Sequence, residues 1–284
     1  MPGLATAETA AIFRQESTTH SAYIEQVFGG ITAFTTIGET QQVPVGVPSV
    51  TNTLTSVVLD YAKSLPISKN LFDDNMHSVW EKSVRDFALK ARIARDKSAF
   101  NLFNKGFSTQ LTADGVSLFN AAHPLINSSA TQSNTFSGGT SALSNTSLQN
   151  GITAMETMRD QSGEVIGAAP SVLLVPPALF TTAIQLTKSV LVAGGGNNDV
   201  NVFRSEYGFE VHKSPYLSAA AGGSDTAWFL LGSNHNVTRI VRQGLQTALT
   251  PWEISDNRTY TYQGNFREVV KCADYAGAIG FVGV

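Results

Sequence analysis

DDNMHSVWEKSVRDFALKARIARDKSAFNLFNKG, residues 73–106, reads as one uninterrupted helix in a chain otherwise built of short strands and polar loops. Asp73 and Asp74 stand where carboxylates favour a helix start, and Lys105 followed by Gly106 supplies the matching stop. Met76, Trp80, Val84, Phe87, Ala91, Ala94 and Leu102 recur at helical steps and form one apolar stripe. Glu81/Arg85 and Asp86/Lys90 are spaced for i,i+4 pairing on the other faces. With no Pro or Gly inside it, such a helix makes about nine turns and runs roughly 45 to 50 Å. A beam of that length suits construction better than catalysis. From Asp74 to Lys105, seven Lys and Arg stand against four Asp and Glu, a pattern expected of a solvated face, with loose contact to a polyanion as the lesser alternative.

On the N-terminal side, residues 1–32 join a short amphipathic stretch, Ala10 to Phe28, to the Gly29-Gly30 break. That composition suits an arm whose packing partner lies elsewhere. Phe34 to Glu39, Gln42 to Val47 and Leu54 to Tyr61 alternate Thr, Val and Gln around Gly46, Pro48 and Asn52, which predicts an extended hairpin. A two-stranded ribbon is marginal in isolation, so this one is expected to lie on another surface.

On the C-terminal side, Phe107 to Pro124 predicts a strand and turn. INSSATQSNTFSGGTSALSNTS, residues 126–147, predicts a polar loop too poor in apolar residues to pack. Ser147 to Asp160 predicts a short amphipathic helix, Ser171 to Pro176 a buried strand, and Pro177 to Val192 a helix with Pro in its first turn. Further strands are expected at Gly208 to Ser214, Ala227 to Leu231, Val237 to Arg242 and Thr247 to Cys272. The small apolar end, Ala276 to Val284, should be tied into the fold.

With 284 residues, 42% of them hydrophobic, the chain has enough material for a real core. Only 14% are charged, against roughly 25% in typical soluble domains, so the surface is either neutral and polar or covered by other subunits. A net charge of −3 argues against a dedicated nucleic-acid binder. Cys272 is the only cysteine, which excludes an internal disulfide and a cysteine-based zinc site and suits a reducing compartment. The first residues lack the pattern of a secretory signal, and no stretch reaches the length of a membrane span. Asn127, Asn145, Asn236 and Asn257 open N-x-Ser/Thr triplets of the kind that arise by chance in so Ser/Thr-rich a sequence.

Catalytic chemistry finds no footing. His20, His77, His123, His212 and His235 are the possible bases, yet no G-x-S-x-G or H-E-x-x-H accompanies them and no two share a helix face. His123, before Pro124, is expected to fix a turn by hydrogen bonding, and His77 to be a solvent or interface residue. Gly194 to Gly196 follow a predicted helix and precede no Lys-Ser/Thr, so a loop tip is expected there and not a phosphate cradle. Neither Asp199 nor Asp225 has calcium-loop spacing. No catalytic, cofactor-binding or metal residue is assigned, and no cofactor is expected.

DGVSLFNAAHPL (114–125), SLQNGITAMETMRD (147–160), PSVLLVPPALFTTAIQL (170–186), GFEVHKSPYL (208–217), WFLLGSN (228–234) and YQGNFREVVKCADYAGAIG (262–280) follow one another in an order that resembles the major capsid proteins of tailed bacteriophages, Mu-type major head subunits in particular. The resemblance implies an α+β fold of the Hong Kong 97 phage type. Its parts are an N-terminal arm at 1–32, an extended E-loop hairpin at 33–72, a peripheral domain at 73–146 and 245–272 with the spine helix at 73–106, and an axial domain at 147–244 and 273–284. It implies a structural, non-enzymatic protein that self-assembles into hexamers and pentamers of an icosahedral head around double-stranded DNA. The implied partners are sister subunits, a separate scaffolding protein because the spine begins too early for a fused one, a portal, a decoration protein and weakly held DNA, with no membrane. Assembly in the host bacterial cytoplasm and residence in the virion follow from the same likeness. Lys63 and Lys69 match no crosslinking pattern, so none is expected. The competing readings are an α+β hydrolase using His123 with a distant Ser and Asp, and another self-assembling tube or tail protein.

Overall fold

The computed structural model describes residues 7–29, 34–46, 50–74, 77–126, 130–139, 141–192, 200–254 and 257–283. In chain order its elements are α1 (Ala7–Ile12), β1 (Arg14–Ser17), β2 (Ala22–Phe28), β3 (Val50–Val57), β4 (Leu59–Ser68), α2 (Lys69–Asp73), α3 (His77–Asn104), β5 (His123–Pro124), β6 (Thr131–Gln132), β7 (Thr135–Phe136), α4 (Asn145–Glu156), β8 (Pro170–Val175), α5 (Phe180–Lys188), β9 (Glu210–Lys213), β10 (Trp228–Gly232), β11 (Val237–Thr250), β12 (Thr259–Cys272) and β13 (Ala278–Phe281). The chain divides into two compact units, residues 1–23, 55–99 and 238–271, and residues 24–54, 100–237 and 272–284.

The long helix exists, but it starts later than its acidic residues suggest. Ser68 caps α2, its Oγ accepting from the Leu71 N–H, and Asp73 pairs with Lys69 within that short helix. Asp73 therefore closes one helix instead of opening the next. Helix α3 has 28 residues, about 42 Å at 1.5 Å per residue. Gly106 marks its end for a steric reason: a Cβ there would lie 2.7 Å from the Phe119 ring.

The first unit is built on a four-stranded sheet in the order β1-β11-β12-β4. Trp80 and Phe87 of α3 meet the Tyr262 ring edge-on, with centroids 5.9 and 5.3 Å away, and Tyr61 stacks on Phe266 at 4.8 Å. Gly264 makes room for this, since a Cβ would lie 2.7 Å from Phe87. Beneath the aromatics three charged groups are buried together. Glu268 accepts from Arg95 Nε at 3.1 Å and from Arg239 Nη2 at 2.7 Å. Arg95, which the sequence places on the basic helix face, is thus a buried partner of the sheet.

Two expectations need correction here. Among its described residues the stretch 33–72 does not pair with itself: β4 pairs antiparallel with β12 from Leu59↔Glu268 to Ser68↔Thr259, β3 pairs with β2, and residues 34–46 hold no strand. Long-range pairing with a strand whose aromatics match its alternation outcompeted the local hairpin. Nor is the whole of 1–32 an arm without a partner, because Ile12 and Phe13 are buried and β1 runs parallel to β11, Arg14 opposite Thr238.

The second unit carries a five-stranded sheet in the order β7-β13-β10-β8-β9. The continuous apolar runs of β8, β10 and β13 are buried almost throughout, as expected for strands covered on both faces. Leu148, Ile152 and Met155 of α4 enter the same core, and Ser144 with Ser147 forms a capping box at the helix start. Helix α5 follows a single 3-10 turn at Pro177–Leu179 and stops at Lys188, short of the expected Val192. The Asn201 amide ends it by donating to the carbonyls of Leu186 at 2.7 Å and Ser189 at 3.1 Å.

The loop 126–147 also departs from expectation: most of its described residues are exposed or half-buried, but several reach the core. Trp228 Nε1 donates to the Ser141 carbonyl at 2.8 Å, Phe136 stacks on Phe281 at 4.7 Å, and Asn134 is fully buried. Phe107 to Pro124 is mostly turns, with an isolated bridge between Leu111 and Ser117 and a strand only at its end, β5. Its phenylalanines, Phe107 and Phe119, pack with Phe103 and Phe229 against Gly280, where a Cβ would lie 2.5 Å from Phe119.

Candidate functional site

His123 is the base on which a hydrolase would depend, and its ring is held between two acceptors. Nδ1 lies 2.6 Å from Asp114 Oδ2 and Nε2 3.1 Å from Asn134 Oδ1, while Tyr275 stacks on the ring at 4.0 Å. The Asp–His half of a triad is present, but the position where a serine would stand is taken by an amide oxygen. Asn134 cannot turn to vacate it, because Nδ2 donates to the carbonyls of Leu118 at 2.7 Å and Ala278 at 3.1 Å, and Oδ1 also accepts from the Asn120 N–H at 2.8 Å. The imidazole is fully buried. His123 fixes a turn, as its position before Pro124 suggested; it has no access to solvent, and no nucleophile stands against it among the described residues.

Burial works to raise the Asp114 carboxyl, but hydrogen bonds from His123 and Thr112, the nearby imidazole and the Val116 N–H outweigh it and hold the group below the usual carboxylate range. Asp274, deeply buried and near the Asp114 charge, is pushed above that range despite hydrogen bonds from the Ala276 N–H and Gln161. Burial, reinforced by Asp274, Asp114 and Asp160, raises the Tyr275 hydroxyl strongly.

The remaining residues stay apart. His20 is exposed, His212 faces Glu210 at 3.4 Å, and buried His235 accepts from the Val237 N–H. The His77 side chain, Met76, Asn127, Gly194 to Gly196 and Asp199 lie outside the described residues. Asp225 accepts from the Ala219 N–H and closes a turn. Among the described residues no group of His, Cys, Asp or Glu is arranged to hold a metal ion, and no helix is long and apolar enough to cross a membrane.

What the molecule does present is apolar surface on extended chain. Phe34 is 98% exposed and Val45 82%, with Ile37 and Val43 also outside, in the strandless stretch 34–46. Ile24 and Phe28 on β2 and Val57 on β3 are exposed on the two-stranded ribbon, and Leu249 and Ile254 stand out near the β11–β12 connection. The latter group was invisible in the sequence, where a hydrophobic residue in a strand pattern reads as core. On α3, Lys82, Arg85, Lys90, Arg92 and Lys97 are exposed beside Glu81 and Asp86, so the excess of positive charge survives without Arg95.

The exposed apolar side chains sit on extended segments attached to two well-packed units. The family model described as phage capsid protein matches residues 51–280, and the chain belongs to that family. The fold agrees with solved capsids. The mature capsid of bacteriophage PhiM1 shares 13% identity at a TM-score of 0.63, covering 99% of this chain and 88% of that one. Microbacterium phage Oxtober96 shares 14% at 0.61, covering 99% and 92%, and the bacteriophage JBD30 capsid 10% at 0.56, covering 100% and 68%. At these identities the likeness is one of fold, the α+β capsid fold of the Hong Kong 97 type. No curated protein matches the sequence.

Proposed function

We propose that this chain is the repeating subunit of an icosahedral head, closing into hexamers and pentamers that tile a shell around double-stranded DNA. The observation that carries the reading is the stretch 34–46, strandless and exposed, with Phe34 and Val45 almost wholly in solvent. Such side chains find cover on a neighbouring copy, and each subunit held by several neighbours tolerates weak individual contacts. Within this reading the first unit takes the peripheral role, the second the axial role, and 34–46 is the reaching part of the E-loop; β4, although inside 33–72, belongs to the peripheral sheet. The exposed basic residues of α3 suit loose contact with packaged DNA. A separate scaffolding protein, a portal and a decoration protein complete the set of partners, with assembly in the bacterial cytoplasm.

The test replaces residues 34–46 by a short Gly-Ser linker and compares the products by electron microscopy and sedimentation, with scaffold supplied. The unaltered chain should give megadalton particles or ring-shaped capsomers, and the replacement a folded subunit that forms no shells. Normal shells from the replacement would overturn the role given to this segment. An unaltered chain that stays a monomer under these conditions would overturn the shell reading as a whole.

A further inference from the structure

Three chain segments meet at His123, and the bonds they make there depend on charge. Asn134 fixes one side: its Nδ2 donates to two carbonyls, so Oδ1 is an acceptor, and His123 Nε2 must carry the hydrogen that reaches it. On the other side Nδ1 faces Asp114 Oδ2, while Asp114 Oδ1 accepts from Thr112 Oγ1 and from the Val116 N–H. The ring therefore points both nitrogens at acceptors. All of these bonds are satisfied together when Asp114 is a carboxylate and the imidazole holds both protons.

The same cluster holds the edge of a sheet. Asn134 Nδ2 reaches Ala278 O, the Gly280 N–H donates to Asn134 O at 3.0 Å, and Thr135 Oγ1 donates to Gly280 O at 3.2 Å. Asp114 thus ties the turn 112–116, His123 ties β5, and Asn134 ties the chain entering β7, all to β13. We propose that Asp114, His123 and Asn134 form an acid-labile clasp that fastens these segments to β13 and opens when Asp114 takes up a proton.

The charged and titratable neighbours are few. Asp114 faces the ring from its own turn, Tyr275 stacks on it from the segment between β12 and β13, and Asp274 beside Tyr275 acts on both Asp114 and His123. Asp160 acts on Tyr275 from the turn after α4. Because the Asp114 carboxyl is held below its ordinary value, its contribution to stability is full above about pH 3.9 and is lost as pH falls through the folded value. Asp274, held above its ordinary value, runs the other way: its contribution is full in acid and is lost as pH rises through its folded value. Only Asp114 makes the clasp acid-labile.

The experiment measures urea unfolding of the full chain and of Asp114→Asn from pH 7 to pH 2.5. The folding equilibrium constant of the unaltered chain should exceed that of the variant by about tenfold or more at pH 6, the scale of one lost hydrogen bond to a charged group, and the ratio should shrink in acid as the carboxylate is lost. A ratio that stays constant over this range, as simple loss of packing would give, overturns the proposal. Should Asp114→Asn fail to fold, the unaltered chain still decides through its histidine ring nitrogens in 15N NMR, with the His123 signals assigned by their loss in His123→Gln. Protons on both Nδ1 and Nε2, with Nδ1 responding over the acid range, support the clasp. A bare Nδ1 bonded to a protonated Asp114 overturns it.

Discussion

The two units of this chain are stabilised in different proportions by apolar packing and buried charge. The second encloses a mainly apolar core beside the buried Asp114–His123–Asn134 cluster, and in it Trp228 stacks on Phe281 at 3.6 Å and apolar residues of β8, β10, β13 and α4 interlock. The first buries Arg95, Arg239 and Glu268 together among its aromatics. An apolar core loses stability gradually as methylenes are removed, because each deletion leaves a cavity of limited cost. A buried ion cluster behaves otherwise: it is neutral or costly as a whole, yet losing one member strands the others in low dielectric. The first unit is therefore specified at a few positions, the second at many.

Glu268→Gln should break that contrast most sharply. It leaves two buried guanidiniums facing a neutral amide, and should cost about 3–5 kcal/mol in urea denaturation, more than any single methylene deletion in the second unit. Gly280→Ala attacks the apolar unit by overfilling, since its Cβ would meet Phe119; a loss of about 1–3 kcal/mol is expected, recovered in part by Phe119→Leu in the same chain. Ser144→Ala removes the cap of α4 and should cost about 1 kcal/mol, read from the thermal midpoint. Phe34→Ser sits at the other end of the scale. At 98% exposure it should change subunit stability by less than about 0.5 kcal/mol while lowering the yield of shells, and a stability loss as large as that of Gly280→Ala would show that the stretch packs on its own subunit.

Local patterns explain how much could be read in advance. The buried strand SVLLVP, the amphipathic α4 and the long helix were legible because burial on two faces, a 3.6-residue period and an absence of breakers are properties of adjacent residues. The turn role of His123 was legible from His-Pro, but its partners were not, because Asp114 and Asn134 come from turns nine and eleven residues away. Glu268 was hidden altogether. In NFREVVKC it reads as one polar residue in an alternating strand, and only the arrival of Arg95, 173 residues distant, shows it to be interior. The loop 126–147 misled because serine and asparagine spell solvent until carbonyls and amides are placed within reach, as Ser141 and Asn134 find beside Trp228 and β13.

The order of its segments resembles that of phage capsid proteins, as the family match bears out, and local periods alone marked the long helix. Where β4 pairs, which charges go inside and which apolar residues are left in water depended on the assembled fold. Strand register and ion burial are settled by groups far apart in the sequence, whose energies exist only once the chain has brought them into contact.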